Sequence, residues 1–308
     1  MRVTALTIPR NSPLMRIELR DKTSREILEC FENLRVKDGE VVEVEILESD
    51  IERIGFKTFV DLAQLFFMKL LTPVKKDERT TILRFQKLHV KNSFHKSQEK
   101  GSEKYGVESE FFSIDKTAQF SFLYHYQKAL EFIDIKSKKR VLNLGVNSGE
   151  EFMVIKEMLT QKEFEDIEFV GIDYSESAIE YAKKEFLAYK NVTFFCHDIN
   201  RLKELNLGKF DLIVSIGTLQ SSNIEFNATF MSIYQNYLQN SGAIILGFPN
   251  CRWIDKEMLY GAKAPNYSFS ELSLVLKDIH FCKKYLQQKR YRVVVTGKDY
   301  LFLSARKI

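Results

Sequence analysis

The decapeptide VLNLGVNSGE, residues 141–150, joins an apolar run to a short turn bounded by two glycines. Val141 to Leu144 are predicted to form a buried strand that runs into the turn. Gly145 allows the backbone to turn sharply, and Gly149 lets a following helix begin close to a ligand with its free N–H groups presented. Because ligands bind beyond the carboxyl ends of strands in an open parallel sheet, the turn is predicted to bind one.

The spacing within the turn argues against a dinucleotide site. Such a site uses G-x-G-x-x-G so that the backbone can approach a pyrophosphate, whereas residues 145–149 read G-V-N-S-G. Asp173 closes the next apolar run, IEFVGID, where a carboxylate could accept from ribose hydroxyls. Asp198 ends a third run, VTFFCHD. Both acids are compatible with several nucleotide-like cofactors, so they do not identify which cofactor binds.

From about Arg140 onward, apolar strand patterns alternate with helical patterns. Strands that are apolar on both faces and separated by helices predict a parallel sheet covered on both sides. The last two strand patterns, YRVVVTG and YLFLSARK, are separated only by Lys298 and Asp299. Two residues cannot hold a crossover helix, so these strands must form an antiparallel hairpin. The predicted fold class is α/β, with a doubly wound, mostly parallel seven-stranded sheet that ends in a C-terminal antiparallel hairpin.

The chain before this domain predicts a small N-terminal α/β unit. Its strand candidates are RVTALTI, LMRIEL and EVVEVEIL, and its helix candidates are SREILECFENL and FKTFVDLAQLFFMKLL, the latter ended by Pro73. A basic stretch follows, and SQEKGSEKYG (97–106) is the best linker candidate. We predict an accessory α/β domain with a basic linker at residues 1–105 and a ligand-binding domain at residues 106–308.

Four segments in this order resemble the class I S-adenosylmethionine-dependent methyltransferase family. They are VLNLGVNSGE, FVGIDYSESAIEYAKK, VTFFCHDI and FDLIVSIGTLQ, and the resemblance covers roughly residues 115–308. Any one segment alone would be a weak signal, but four in the same order are a strong one. The resemblance implies a methyltransferase with S-adenosyl-L-methionine as its cofactor. No metal site is predicted, because the five histidines form no metal-ligand spacing with the cysteines.

The resemblance also implies roles for the matching positions. The loop from Gly145 to Gly149 would lie along the methionine part of the cofactor, and Asp173 would accept from both ribose hydroxyls. Tyr174 would pack on the adenine, and Asp198 would accept from the adenine amino group beside the Ile199 amide. Ser215, Ile216 and Gly217 would line the floor near the sulfonium. The predicted cofactor-binding residues are Asn143, Gly145, Asn147, Gly149, Asp173, Tyr174, Asp198, Ile199, Ser215 and Gly217.

Two positions depart from the family pattern. Asn147 stands where such loops usually carry a glycine, and Asn143 where they usually carry an acid. Asparagine tolerates positive φ better than most non-glycine residues, so Asn147 can keep the loop conformation. Asn143 keeps a hydrogen-bonding side chain but removes a negative charge near the amino-acid end. We interpret both as variants within a working site.

The long aromatic segment 247–268 follows the fifth strand of the domain and is predicted to lie over the strand ends, where a methyl acceptor must approach. Asn250 could orient an acceptor, and Arg252 could pair with a phosphate or carboxylate, so these are the candidate catalytic residues. Trp253, Tyr260 and Tyr267 could form apolar or stacking walls. The predicted substrate-binding residues are Asn250, Arg252, Trp253 and Tyr260. The alternative is a packed cap without chemistry, and Cys251 is not predicted to act as a nucleophile.

The net charge of +4 hides two basic stretches. Residues 74–104 hold nine Lys/Arg against four Asp/Glu, and residues 283–308 hold eight against the single acid Asp299. These stretches favour an RNA acceptor (tRNA or rRNA) by a narrow margin. The alternatives are a small-molecule O- or N-methyltransferase, or a non-catalytic protein that binds S-adenosylmethionine. In either case the basic stretches would be solvated surface.

Other signals narrow the class of protein. No apolar run approaches the length of a membrane span, and the N-terminus lacks a secretory signal pattern. Four scattered cysteines suit reduced thiols, so a cytoplasmic location without a membrane partner is expected. The residues of CHD (196–198) alternate across a strand and cannot converge on one metal ion. The chain also lacks the Asn-Pro-Pro-aromatic and Pro-Cys motifs of nucleobase amino and cytosine methylation.

Overall fold

A computed structural model describes residues 15–90, 106, 109, 112, 114–262 and 271–308. The chain divides into two compact units. The first comprises Met1–Lys96 and Trp253–Leu259, and the second comprises Ser97–Arg252 and Tyr260–Ile308. Position 105, the predicted boundary, lies outside the described residues.

The N-terminal unit is built on a four-stranded sheet with helices. Its elements are β1 (Met15–Glu18), α1 (Ser24–Asn33), β2 (Val41–Leu47), α2 (Glu48–Ile54), α3 (Phe56–Leu65), β3 (Met68–Lys75) and β4 (Thr80–Lys87). The strand order is β1-β2-β4-β3, with β1 parallel to β2 and the other pairs antiparallel. Helix α1 begins with a capping box in which Thr23 and Glu26 satisfy each other's backbone amides. The buried side chains of α1 and α3, such as Phe31 and Phe59, pack with those of the sheet in one core.

Two predictions for this unit were wrong. The helix predicted over residues 56–71 ends at Leu65, and Pro73 lies within strand β3 rather than ending a helix. The pairing register with β4 shifts between Leu71 and Val74. This irregularity on an edge strand tolerates a proline, which cannot donate to the ladder. A continuous apolar run fits a helix and a buried strand equally well, so its pattern alone could not decide.

Strand β4 was also missed, because it falls within the basic stretch. Leu83 and Phe85 alternate with polar residues along the strand and are fully buried. The first part of the basic stretch therefore supplies a central strand of the sheet, and the linker candidate 97–106 lies almost entirely outside the described residues. The strand candidate RVTALTI lies outside the described residues.

The segment Trp253–Leu259 groups with the N-terminal unit, although the sequence analysis placed it in the second domain. Its apolar side chains Ile254 and Leu259 are buried together with Leu88 and with the partly buried Phe67. The N-terminal unit is therefore discontinuous in sequence.

The second unit contains a seven-stranded sheet. Its elements begin with α4 (Phe120–Phe132), β5 (Arg140–Leu144), α5 (Glu150–Met158), α6 (Gln161–Glu165), β6 (Glu168–Asp173), α7 (Glu176–Glu185) and β7 (Val192–Cys196). They continue with β8 (Phe210–Ile216), α8 (Phe226–Tyr237), β9 (Leu238–Pro249), α9 (Ser273–Gln288), β12 (Tyr291–Gly297) and β13 (Tyr300–Lys307). Strands β10 (Cys251–Ile254) and β11 (Glu257–Tyr260) pair with each other in a separate two-stranded sheet.

The order of the large sheet is β12-β13-β9-β8-β5-β6-β7. Strands β5 to β9 pair in parallel, and β13 pairs antiparallel with both β9 and β12. The predicted α/β fold class, including the C-terminal antiparallel hairpin, is confirmed. Strand β5 is flanked by β6 on one side and β8 on the other, so the winding reverses at its carboxyl end. That end carries the loop 145–149, which places the loop where this fold binds ligands.

Both faces of the sheet are covered, as its continuous apolar runs require. On one face, Phe230 of α8 and Leu286 of α9 pack in the main core cluster with Leu142. On the other, the ring of Phe169 contacts the rings of Phe152 on α5 and Phe164 on α6, with centroids 5.0 and 4.5 Å apart. This double cover fixes the strand ends and hence the loops that follow them.

Candidate cofactor site

The loop after β5 has a left-handed backbone at three positions. Gly145, Asn147 and Gly149 have φ values of 80°, 44° and 88°. Asn147 thus adopts the positive φ that the sequence analysis expected it to tolerate. A Cβ atom at Gly145 would lie 1.8 Å from Oγ1 of Thr218, so no larger residue fits beside that side chain. The amide groups of Gly145 and Val146 both donate to the carbonyl oxygen of Ile172, over 2.8 and 3.0 Å, and anchor the loop to β6.

Asp173, the last residue of β6, faces this loop. Its Oδ2 accepts the backbone amide of Asn147 at 2.9 Å, and its Oδ1 accepts that of Ser175 at 3.0 Å. Burial raises the pKa of the Asp173 carboxyl above its ordinary value, although these amides oppose the shift. A carboxylate offers about four acceptor positions. Asp173 can therefore hold the loop and still accept from the hydroxyls of a ligand.

The next strand ends supply a ring and a second acid. Tyr174 follows Asp173 and is 57% exposed, so its ring is available to pack on a ligand. Oδ1 of Asp198 accepts from both the backbone and the side-chain amide of Asn200, over 2.9 and 3.0 Å. Asp198 thereby caps the 3-10 segment that begins at Ile199. One oxygen of Asp198 is therefore committed to local structure.

Ser215 links two neighbouring strands of the large sheet. Its side chain is buried, and its Oγ donates to the carbonyl oxygen of Leu144 at 3.0 Å, which ties β8 to the end of β5. Gly217 has φ 74° and donates its amide to the carbonyl oxygen of Gly247. The end of β8 is thus tied to the end of β5 by Ser215 and to β9 by Gly217.

A buried polar cluster that sequence reasoning missed lies at the base of the loop. Asn143 Nδ2 donates to Oε2 of Glu151 at 3.2 Å, and both side chains are almost completely buried. Lys116 Nζ lies 3.0 Å from Oε1 of Glu151 and 3.1 Å from Oε2 of Glu150. Burial raises the pKa of Glu151. It would lower the pKa of Lys116, but Glu150 and Glu151 together raise it above its ordinary value. No local spacing connects Lys116 to this loop, so no sequence signal pointed to it.

The predicted acceptor residues differ in burial and in the compact unit to which they belong. Asn250 is buried, its amide nitrogen Nδ2 donates to the carbonyl oxygen of Lys298, and its backbone amide donates to that of Asp299. These bonds hold the β12–β13 turn. Arg252 and Tyr260 belong to the second unit, whereas Trp253 groups with the first. Tyr267 lies outside the described residues.

The surroundings of Cys251 disfavour its thiolate form. Its side chain is buried, and burial together with the charge of Asp299 raises the pKa of the thiol to about 12. A thiol with so high a pKa carries almost no thiolate near neutral pH. This agrees with the expectation that Cys251 is not a nucleophile.

Across the described ranges, no three His, Cys, Asp or Glu side chains come together in a way that could hold a metal ion. Within those same ranges, no helix is long and apolar enough to cross a membrane.

The edge beyond β5 and β6 offers three kinds of chemistry. The left-handed loop presents backbone amides, Asp173 retains acceptor capacity for hydroxyls, and the cluster at Glu151 carries excess negative charge. A nucleoside with a cationic amino-acid end would use all three.

Comparison with known proteins agrees with this chemistry. A family model described as a methyltransferase domain matches residues 135–295. Two curated relatives, both carboxy-S-adenosyl-L-methionine synthases of Helicobacter pylori, are 26% identical over 149 residues and 27% identical over 145 residues. These matches cover 47% and 46% of this chain, and 59% and 57% of the relatives. The chain thus spans less than two thirds of the length of the curated relatives it matches.

Solved methyltransferase structures give weak overall superpositions. A precorrin-6y methyltransferase of Geobacter metallireducens is 10% identical, covers 63% of this chain and 93% of its own, and has a TM-score of 0.43. A magnesium protoporphyrin IX methyltransferase of Synechocystis is 16% identical, with coverages of 63% and 88% and a TM-score of 0.40. The family assignment depends on the family model, which matches slightly more than half of the chain. The protein belongs to the methyltransferase-domain family and uses S-adenosyl-L-methionine as its cofactor.

Proposed function

We propose that this protein transfers the methyl group of S-adenosylmethionine to a small neutral or cationic acceptor. The observation that carries the acceptor class is a cleft of about 310 Å³ beside the cofactor loop. Its lining includes Ser148, Gly149 and Glu150 from the loop and the start of α5. A volume near 300 Å³ is at the lower end of small-molecule sites.

The lining of the cleft is acidic and aromatic. Its carboxylates are Asp115, Glu150, Glu157 and Glu185, and its rings are Phe112 and Tyr181, whose centroids lie 5.1 Å apart. Carboxylates repel a phosphate backbone and attract an amine. An apolar or cationic small molecule therefore suits the cleft better than a polyanion.

The cations of residues 74–84 support the same choice. Lys75 Nζ lies 2.9 Å from Oε1 of Glu48, and Lys76 Nζ lies 2.6 Å from Oε2 of Glu45. Arg84 lies 3.9 Å from Glu43. An RNA phosphate would have to compete with these carboxylates, which lowers the gain from each contact.

Several cations of residues 283–308 are held by contacts within the second unit, to a ring or a carbonyl oxygen instead of a carboxylate. The guanidinium groups of Arg292 and Arg306 lie over the ring of Phe132, at 5.8 and 5.0 Å from its centroid. Lys307 Nζ donates to the carbonyl oxygen of Lys289 at 2.6 Å. RNA remains an alternative acceptor, but these contacts favour the small molecule.

In this proposal the cofactor supplies an activated methyl group on a positive sulfur. Asp173 accepts from the ribose hydroxyls, and Tyr174 packs on the adenine. Asp198 and the Ile199 amide contact the edge of the adenine. The protein's main contribution is to hold the acceptor in line with the methyl group.

A second candidate activity is the synthesis of carboxy-S-adenosyl-L-methionine. It is favoured by the similarity to the Helicobacter pylori relatives of that name over slightly less than half of this chain. It is also a small-molecule reaction, in which the cofactor itself is modified.

One experiment separates these activities. The protein is incubated with methyl-labelled S-adenosylmethionine and either total RNA, a filtered low-molecular-weight cell extract, or buffer alone. We expect label in small molecules of the extract and none in RNA, and Asp173→Ala should abolish the transfer. Label in RNA would overturn the proposed acceptor class. A carboxylated cofactor seen by mass spectrometry would establish the second candidate, and cofactor binding without any transfer would indicate a non-catalytic protein.

A further inference from the structure

The buried cluster at the base of the cofactor loop carries unbalanced charge. One ammonium group, that of Lys116, lies within 3.1 Å of two carboxylates, those of Glu150 and Glu151. With all three ionised the cluster has a net charge of −1. Glu151 is 1% exposed, so water does not screen its share of that charge. A buried charge without a full counter-charge is costly, and this favours the arrival of a cation.

Two further polar atoms in the same place lack partners. Asn143 Oδ1 and Tyr126 Oη are buried and make no hydrogen bond with any residue that the structure describes. The amide of Asn143 is held in the cluster by its bond to Glu151. The Tyr126 phenol is close enough to Glu151 for that charge to contribute to its raised pKa, after burial itself. Buried polar atoms are normally hydrogen-bonded, and the amide oxygen of Asn143 can only accept, so it indicates a missing donor.

The cluster adjoins the loop that the cofactor is to use. Asn143 is the penultimate residue of β5, and Glu151 is the second residue of α5, so the loop 145–149 lies between them in sequence. The charge of Lys116 also reaches Asp173, where it opposes the effect of burial on the pKa. The cluster and Asp173 therefore border the same loop.

We propose that this cluster is a cation subsite in which Glu151 and Asn143 Oδ1 hold the α-ammonium group of the amino-acid half of the cofactor. A primary ammonium group is donor-only and compact, as two adjacent acceptors beside excess negative charge require. An anion does not suit the cluster, because Lys116 is already paired with two carboxylates. Glu151 thus supplies, from the helix, the negative charge that Asn143 lacks on the strand.

The inference rests on the proposed cofactor site, and three adenosine probes test it. S-adenosylmethionine has the sulfonium and the ammonium, S-adenosylhomocysteine has only the ammonium, and methylthioadenosine has neither. Calorimetric titrations compare the parent, Glu151→Gln, and Glu165→Gln as a matched control on the exposed face of α6. We expect Glu151→Gln to weaken the binding of S-adenosylmethionine and S-adenosylhomocysteine by roughly tenfold or more, as for a lost charged hydrogen bond. The affinity for methylthioadenosine should not change. Glu165→Gln should match the parent.

A charge-relocation variant separates recognition from structural support. Adding Asn143→Asp to Glu151→Gln returns the negative charge to the strand and should restore most of the affinity for S-adenosylhomocysteine. If Glu151→Gln does not fold in a thermal melt, Glu150→Gln serves instead. The carboxylate of Glu150 is partly exposed, and the substitution Glu150→Gln also makes the cluster neutral. Glu150→Gln should also weaken the binding of S-adenosylhomocysteine and leave the binding of methylthioadenosine unchanged.

Several results would overturn the inference. The first is a parent-like affinity of the carboxylate variants for S-adenosylhomocysteine. The second is an equal loss of affinity for methylthioadenosine. The third is a loss of affinity confined to S-adenosylmethionine, which would assign the subsite to the sulfonium. A parent protein that binds none of the three probes would instead contradict the cofactor site itself.

Discussion

The backbone amide of Asn147 donates to Oδ2 of Asp173 across 2.9 Å and joins the loop after β5 to the end of β6. The carboxylate proposed to hold the ribose therefore also fixes the loop proposed to hold the methionine half. The two halves of the site are coupled through one buried side chain, and changes at either residue should be felt at both ends of the cofactor.

Asp173→Asn should weaken the binding of S-adenosylhomocysteine by roughly tenfold or more. It removes the charge from hydrogen bonds worth about 1.5–3 kcal/mol each, and it replaces one acceptor oxygen by an NH2 group that cannot accept a backbone amide. The amide keeps the shape of the side chain, so the fold should survive. Titration calorimetry measures the effect, with Asp166→Asn as an exposed control. Parent-like affinity in Asp173→Asn would show that Asp173 does not contact the ribose.

Gly145→Ala should abolish cofactor binding. The added Cβ would lie 1.8 Å from Oγ1 and 2.6 Å from Cβ of Thr218, and the left-handed backbone adds about 1–3 kcal/mol of strain for a non-glycine residue. Introducing Thr218→Gly into Gly145→Ala should recover part of the binding, since it removes the clash but not the strain. Thermal unfolding and titration would be measured together. Full binding by the single variant would mean that the loop adopts another conformation with cofactor.

Asn147→Gly should bind the cofactor as well as the parent or better. Glycine reaches φ 44° without a side-chain penalty, and the amide bond to Asp173 is kept. Asn147→Val should bind much more weakly, because a β-branched residue strongly disfavours that backbone region. Affinity for S-adenosylhomocysteine is the readout. A large loss in Asn147→Gly would show that the asparagine side chain itself contacts the cofactor.

Affinity for S-adenosylhomocysteine should fall in acid as Glu151 takes up a proton. Burial raises the pKa of this carboxyl above its ordinary value, so binding should be full above the raised pKa and should weaken as the pH falls through it. The ligand's ammonium group stays protonated over that range. The charged or titratable groups around the cluster are Lys116, Glu150, Tyr126 and Tyr300.

A second acid could produce a similar curve, because burial also raises the pKa of Asp173. Comparison of the parent with Glu151→Gln isolates the contribution of Glu151. The variant should bind weakly at all pH values and should lose the part of the pH dependence that Glu151 supplies. An identical pH profile in both proteins would contradict the role of Glu151.

The second unit could be predicted because its signals are local. Apolar runs, helical periods and the two-residue link at Lys298 and Asp299 each specify a nearby structure. The N-terminal unit was harder. The position of strand β4 within a basic stretch masked the strand that buries Leu83 and Phe85, and the apolar run before Pro73 did not distinguish helix from strand.

In the site, the loop and the acids at strand ends followed from the sequence, but their neighbours did not. Lys116 and Glu151 meet only because the turn before α4 and the first turn of α5 come together in the fold. The pairs of Lys75 with Glu48 and of Lys76 with Glu45 likewise join separate elements. Charge counted along the chain therefore overstated the free positive surface.

The hairpin segment Trp253–Leu259 limits how this protein can be divided into separate fragments. Ile254 and Leu259 are buried with Leu88 and pack against the partly buried Phe67 of the N-terminal unit, yet the chain before and after them belongs to the second unit. A fragment that lacks residues 1–96 would carry these apolar side chains to the surface without their partners and should be poorly soluble. The N-terminal unit is thus not an exchangeable module, and its loss or replacement would require simultaneous change in the insertion after β9.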